Sequence, residues 1–396
     1  MRVVISKCLL GCPCRYDGQS KPSPPVQHLA EKVDVVGVCP EVEGGLSCPR
    51  TAAEQVGALV ITKDGKDVTK QYWRGARLCL EKTLAAKPPF AVLKAKSPSC
   101  GHGMVYDGTY TSTLVPGDGI FTRLLNKEEI SVVTENVVEA CKPSVEHPVA
   151  IILGTGLGHL AGLVKPVRHI DYHDIDGFPL SAQPVKGHLF EATIGTIDEV
   201  PVVVYPGRIH LYQGYSAAEV TSLVRHAYSL GCRDIIFACA TGAVPGQAEL
   251  GLGLVEDQIN LTGHDPLSER DNICAVNTRF LGMTDAYSPY MLGLAKGVAE
   301  DEGIEVGQGV LAGTVGPSFE TPAEVRALST LGVSYVGMST VCEVIMAHAL
   351  DMNVLAITQA GNRAGDPSVS HKSVLDASKK YEQDFEKLVR GVLHLL

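Results

Sequence analysis

The chain opens on an apolar run, Val3-Val4-Ile5, that stops at Ser6-Lys7 and a cysteine. The same grammar recurs at residues 33–39 and 91–100, each a short apolar stretch that ends in a turn carrying a cysteine. Runs of this length, separated by helical periods such as residues 72–84, predict strands alternating with helices. The alternation continues at residues 149–153, 202–205, 234–239, 335–338 and 354–358, which predicts a second α/β region around a central, largely parallel sheet. A last stretch, residues 374–396, sets Leu375, Phe385, Leu388, Val392 and Leu396 near one stripe and predicts an amphipathic closing helix. Between Pro143 and Pro148 the pattern turns polar, so domains are expected at residues 1–143 and 144–396.

Length supports two domains, because 396 residues exceed what one core usually holds. Hydrophobic residues at 45% and charged residues at 20% exclude disorder, and no run approaches the roughly 18 apolar residues of a membrane span. The opening run is too short for a signal peptide, so a cytoplasmic location is expected. The first 144 residues are slightly basic, and the remainder carries the acidic excess behind the net charge of −10, as two modules of different origin would. With no basic tract, eight Phe and one Trp, neither a nucleic-acid polymer nor a membrane is expected as partner, and small molecules are.

Cysteine usage sharpens the picture. Eight of the twelve fall in the first 141 residues, and in a reducing cytosol such a concentration points to metal ligation or redox chemistry rather than disulfides. Cys79, on the apolar side of the 72–84 helix, is expected to be a small buried hydrophobe. Zinc favours paired C-x-x-C knuckles, and Cys12-Pro13-Cys14 has the wrong spacing. Parallel strands place their carboxyl ends on one edge, so Cys8, Cys39 and Cys100, each in the turn after a strand, converge there. Three thiolates with an open fourth position suit an iron–sulfur site with a reactive iron.

Three sets of residues then carry a resemblance: Ser6-Lys7-Cys8-Leu9-Leu10-Gly11 with Arg15-Tyr16-Asp17-Gly18, Cys39-Pro40-Glu41 with Pro49-Arg50, and Ser97-Pro98-Ser99-Cys100-Gly101 with Tyr106-Asp107-Gly108. Over roughly residues 1–137 the chain resembles the thiouracil desulfidase family. The resemblance implies a small α/β domain holding a 4Fe-4S cluster on Cys8, Cys39 and Cys100, whose unique iron binds the sulfur of a thiolated base and removes it as sulfide. Cys12, Cys14 and Cys48 are extra thiols or alternative ligands. The resemblance also implies a catalytic Ser97 and a nearby acid, Glu41 or Glu43. The chemistry needs such groups, since water must lose a proton to attack the carbon bearing sulfur. A turn or helix-cap serine is an equal reading of Ser97.

In the second region, Gly154-Thr155-Gly156-Leu157-Gly158-His159 follows a strand, but the third glycine of a dinucleotide fingerprint is replaced by His159. What remains is a small-residue turn fit to cradle one phosphate with its amides and the Thr155 hydroxyl. Along the extended piece after residue 205, alternation points Arg208, His210 and Tyr212 to one side, which reads as an oxyanion pocket.

Together with Gly187-His188, the run from Gly316 to Thr321 through Phe319-Glu320, and Gly337-Met338-Ser339-Thr340 with Glu343, these motifs make residues 149–396 similar to the trimeric purine nucleoside phosphorylases. That resemblance implies an α/β/α domain with a central mixed sheet, a homotrimer, nucleoside and base ligands, and inorganic phosphate as co-substrate. It implies phosphate held by Thr155, Arg208, His210, the backbone at Ala240 and Ser339, with His188 close by. The base lies near Phe319, gripped at N1 by Glu320 and at O6 or N7 by Asn362, while Tyr212, Met338 and His371 surround the ribose. His210, Glu320, Asn362 and His371 take the catalytic roles.

The sequence departs from that pattern at Gln213, where the family carries glutamate, and at Gly361, where it carries threonine. The smaller Gly361 is expected to leave room beside Asn362 for a purine bearing sulfur. Two modules of these kinds predict a bifunctional salvage enzyme that phosphorolyses nucleosides and desulfurates a thiolated base. The alternative is an ordinary phosphorylase with a non-catalytic iron–sulfur sensor or structural domain. Specificity for 6-amino purines is disfavoured by Asn362, since the similar enzymes with that specificity carry Asp there.

Overall fold

In the computed structural model the first region holds β1 (Arg2–Ser6), β2 (Asp34–Val38), β3 (Ala53–Val56), β4 (Leu59–Thr62), β5 (Phe90–Leu93), β6 (Met104–Tyr106), β7 (Leu114–Pro116) and β8 (Ser131–Thr134). The described residues are 1–141, 146–185, 188–268 and 280–396, excepting the side chains of His371 and Leu375. Strands β2, β1, β5 and β8 form one sheet in that order, parallel throughout, and β3–β4 and β6–β7 are separate antiparallel pairs. Every residue of β5 is buried, as are Val3, Val4 and Ile5 of β1, which is why these strands read as unbroken apolar runs rather than as alternation. Helices Thr69–Ala86 and Ile120–Lys127 bring Tyr72, Ala76, Cys79, Phe121 and Leu125 into one core with Val4, Ala91 and Leu93, and Cys79 is fully buried as expected.

The second region contributes β9 (Val149–Ile152), β10 (Lys165–Asp171), β11 (Glu191–Ile197), β12 (Val200–Tyr205), β13 (Asp234–Ala243), β14 (Gly251–Asn260), β15 (Val306–Gly313), β16 (Val333–Gly337) and β17 (Asn353–Arg363). Their order is β10-β11-β12-β9-β13-β16-β15-β14-β17, and β17 pairs back onto β13. Five strands therefore close on themselves, while β10, β11, β12 and β9 extend from them as an open wing. The sheet is mixed rather than largely parallel: β10–β11, β11–β12, β13–β16 and β14–β17 run antiparallel.

Strands β10, β11, β14 and β15 escape the apolar-run criterion. In β10 only Ile170 is buried, and β14 and β15 are rich in glycine. Two of those glycines are required by packing, since a Cβ on Gly253 or Gly307 would stand 2.4 or 2.3 Å from the Tyr335 hydroxyl. The expected closing helix is two helices, His371–Ser378 and Glu382–Leu395, separated by a 3-10 turn at Lys379–Tyr381. Phe385, Leu388 and Val392 are buried as the stripe predicts, whereas the Leu375 side chain lies outside the described residues. The chain divides into two compact units, Met1–Lys142 and Pro143–His394, with the division among residues that are not described. Among the described residues no helix is long and apolar enough to cross a membrane.

One close approach fixes the turn after β2. A Cβ on Gly75 would lie 1.7 Å from the Pro40 carbonyl oxygen, so helix Thr69–Ala86 can rest on Pro40–Glu43 only with hydrogen at that position. Gly75→Ala is expected to destabilise the first unit by about 1–3 kcal/mol, the usual scale for overpacking. Denaturant unfolding measures this, and a variant as stable as the parent contradicts the packing argument.

Candidate functional site

In the second unit a cavity of about 430 Å³ opens where the ends of β9, β12, β13, β16 and β17 come together. Thr155, His210, Ala240 and Ser339 line it, and so do Tyr212, Phe319, Glu320, Met338 and Asn362. The first group presents small neutral polar atoms, the second two aromatic rings, a thioether, a carboxyl and an amide. The His210 and Tyr212 rings stack at 4.7 Å, with 16° between their planes. Gln213 Oε1 accepts from the His210 backbone N–H at 2.9 Å and lies 3.3 Å from its Nδ1. A neutral side chain thus holds the ring in the cavity wall.

His188 and Arg208 stand behind this wall. The Arg208 backbone N–H donates to His188 Nδ1 at 2.8 Å, and His188 Nε2 lies 3.1 Å from Thr155 Oγ1. The Arg208 carbonyl, 3.0 Å from the same Nδ1, would favour the opposite tautomer. The backbone N–H decides, because the peptide plane fixes its hydrogen, so Nε2 carries the proton and Thr155 keeps its own hydroxyl hydrogen for the cavity.

The Arg208 side chain does not share a face with His210 and Tyr212 as alternation predicts. Residues 206–210 are irregular, and the guanidinium turns inward to a carboxylate. Its Nη1 donates to Glu343 Oε2 at 2.9 Å and to Thr340 Oγ1 at 3.2 Å, while Nη2 donates to the carbonyls of Ile152 and Ala238. Only Nε, buried and without a partner among the described residues, remains to serve a ligand. Thr340 has φ +75°, a strained backbone for a β-branched residue.

Burial raises the Glu320 carboxyl above its ordinary value. Asn362 Nδ2 donates to the Arg363 carbonyl at 3.1 Å. Gly361 makes no room for a larger base, because a Cβ there would point at Ala377, 2.9 Å away. The His371 side chain and Gly187 lie outside the described residues.

In the first unit a cavity of about 590 Å³ is lined by Cys8, Cys39 and Cys100, by a fourth thiol, Cys14, and by Ser97 and Glu41. Cys8 lies in the 3-10 turn after β1, Cys39 caps helix Pro40–Glu43 after β2, and Cys100 follows β5. The Cys14 thiol contacts those of Cys39 and Cys8. Contact with Cys39 lowers its proton affinity, but contact with Cys8 and burial outweigh that and push it up to about 11. The Cys14 thiol and burial raise Cys39, and burial raises Cys100. Cys12 and Cys48 are exposed. Among the described residues no three His, Cys, Asp or Glu side chains close on a point that could hold a single metal ion.

Of the two candidate acids, Glu41 faces the cavity, held by Arg50 Nε at 2.9 Å and Nη2 at 2.5 Å and by the Ser99 hydroxyl at 3.2 Å. Glu43 is occupied by Lys82 at 2.6 Å and Lys7 at 3.4 Å. Ser97 Oγ accepts from the N–H groups of Ser99 at 3.1 Å and Cys100 at 3.2 Å, so it caps a turn and lines the cavity at once. Sequence reasoning missed the half-buried ion pair of Lys94 and Glu135 in the same wall. Its members are 41 residues apart, and no local pattern signals such a pair.

Comparison with known proteins agrees with this division. Residues 3–137 match the family model described as 2-thiouracil desulfurase, and residues 148–394 match that of the phosphorylase superfamily. Purine nucleoside phosphorylase 1 of Geobacillus stearothermophilus is 39% identical over 249 residues, covering 62% of this chain and 90% of that protein. The Mus musculus purine nucleoside phosphorylase is 35% identical over 254 residues, covering 61% and 86%. Among solved structures, Schistosoma mansoni purine nucleoside phosphorylase in complex with inosine matches with a TM-score of 0.58 at 31% identity, over 64% of this chain and 91% of that one. Isoform 2 from the same organism, in complex with cytosine and ribose-1-phosphate, gives 0.59 at 30%, over 63% and 90%.

The raised Glu320 carboxyl has a consequence for stability. A carboxyl that binds its proton more tightly in the folded chain contributes stability below its unfolded value, and that contribution is lost as pH rises through the folded value. Glu320→Gln, which never ionises, is therefore expected to melt higher than the parent at pH 7 and to show no such advantage near pH 4. Thermal melts across that range check it, and an equal difference at both pH values contradicts the assignment.

Proposed function

The chain belongs to the phosphorylase superfamily through residues 148–394, and from that premise we propose that this unit cleaves purine nucleosides with inorganic phosphate to give the free base and ribose 1-phosphate. One observation carries the reading: the buried Arg208 Nε lacks a partner behind a wall that offers the Thr155 and Ser339 hydroxyls. A phosphate oxygen satisfies that donor, and the hydroxyls hold the anion as nucleophile. The phosphate oxygen forms a bond to C1′ while the C1′–N9 bond breaks, its electron pair leaving with the purine. Asn362 donates to the base where charge develops, and ionised Glu320 accepts from N1–H, so both contacts strengthen toward the transition state. Phe319 and Tyr212 cover base and sugar. His371 faces the ribose in this reading, and the assembly is a homotrimer, as the resemblance implies.

For the first unit we propose cluster-dependent desulfuration of a thiolated base. Cys8, Cys39 and Cys100 would hold a 4Fe-4S cluster, and the all-thiol donor set opening on one cavity fits that soft group. When bound, the cluster supplies an iron that accepts sulfur. Glu41 faces the cavity to take a proton from water, and Ser97 offers a hydroxyl beside it. The grip of Arg50 on both Glu41 and the Cys14 carbonyl favours a second reading, in which the same cluster domain is a non-catalytic sensor or structural module.

Glu320→Ala is expected to lower kcat/KM for inosine at least tenfold, the weight of a lost charge-assisted bond of about 1.5–3 kcal/mol. Full activity in that variant overturns the base assignment. In anaerobically purified protein, Ser substitutions at Cys8, Cys39 or Cys100 are expected to lower iron content while Cys79→Ser does not. Unchanged iron in all three dismisses the ligand set. Sulfide release from a free thiolated base separates the catalytic reading from the sensor.

A further inference from the structure

Glu343 does not line the phosphate wall, yet both parts of that wall rest on it. Its Oε2 accepts from Arg208 Nη1 at 2.9 Å and from the Thr340 backbone N–H at 2.6 Å, and its side chain is 4% exposed. Its other oxygen, Oε1, is buried without a partner among the described residues. Thr340 and Glu343 form the reciprocal capping box that opens helix Val341–Ala349. The bond from the Thr340 N–H keeps that residue at φ +75°, and this conformation sets Ser339, its neighbour, in the cavity wall. Glu343 thus positions two of the groups that an anion would meet.

It also sets their charge. The positive charge of Arg208 faces a buried carboxylate at 2.9 Å, and both terminal nitrogens are spent on Glu343, Thr340 and the carbonyls of Ile152 and Ala238. What Arg208 still offers an anion is the one N–H on Nε of a neutralised cation. Other donors in the wall, the hydroxyls of Thr155 and Ser339, are uncharged.

We propose that Glu343 is a positioning residue that tunes the phosphate subsite, holding Arg208 and Ser339 in place while cancelling the positive charge that would otherwise trap the anion. The proposal rests on the phosphorolysis reading, in which ribose 1-phosphate must leave the subsite that bound phosphate. A subsite built from directed neutral donors holds phosphate by geometry and lets the sugar phosphate depart, whereas an unbalanced buried guanidinium binds both more tightly.

The test separates charge from geometry. Glu343→Gln keeps size and, with its amide oxygen in the place of Oε2, both accepted bonds, but loses the charge. Inorganic phosphate, titrated calorimetrically without nucleoside, is expected to bind about fivefold more tightly, while kcat on inosine falls tenfold or more. Glu343→Asp keeps the charge and shortens the reach, so phosphate affinity is expected to stay within threefold of the parent, again with kcat reduced at least tenfold. Phosphate affinity in Glu343→Gln equal to or weaker than the parent overturns the proposal. Should Glu343→Gln not fold, Glu343→Asp decides alone: unchanged affinity with reduced kcat supports the proposal, and tighter binding overturns it. A parent chain that binds no inorganic phosphate overturns the phosphorolysis reading instead.

Discussion

A guanidinium shut away from water must find its acceptors inside the protein, and the two terminal nitrogens of Arg208 find them in three separate parts of the chain. Its partners are Glu343 and Thr340 at the start of one helix, the Ile152 carbonyl at the end of β9, and the Ala238 carbonyl within β13. Its own backbone N–H fixes His188, which in turn reaches Thr155. Moving any of these pieces leaves a buried charge or a buried donor unmatched, so the arginine ties the open wing of the sheet to its closed part through polar contacts with no slack. The cavity in front of it keeps its shape because the network behind it has one good arrangement.

The other unit meets a comparable demand with its own arginine–carboxylate pair. Arg50 holds Glu41 with two nitrogens and reaches the Cys14 carbonyl, so one side chain pins the acidic turn after β2 to the cysteine loop after β1. The Cys14 thiol touches those of Cys39 and Cys8 beside it, and Cys14 and Cys39 both hold their protons more tightly than a free thiol.

The parts of this architecture that repeat locally could be read from the sequence, and the parts that depend on distant partners could not. The cysteine in the turn after each apolar run is a local signal, and the parallel sheet sets Cys8, Cys39 and Cys100 at one edge as that signal implies. Cys14 belongs to the same cavity but follows no strand, so its place rests on the fold of the loop. Glu320 and Asn362 stood out through the runs around them, whereas Glu343, 135 residues from Arg208, had no visible role until the two met. Arg208 itself was misread because two-residue alternation holds only while the chain stays extended, and residues 206–210 do not. Glycine misled twice in opposite directions. In β14 and β15 it hid strands whose Cβ positions belong to the Tyr335 ring, and at Gly361 it suggested space that Ala377 already fills.

The pairing of β17 with both β14 and β13 has one more effect. Closing those five strands removes their edges, so of the nine strands in the sheet the exposed margin is β10 at the end of the wing. That strand carries Lys165, Pro166 and Arg168, and its register shifts between Pro166 and Arg168. A proline that cannot donate, flanking positive charge and an irregular register make a poor template for another strand. A sheet this wide would otherwise invite edge-to-edge aggregation, and its margin is blunted where a second chain would have to add.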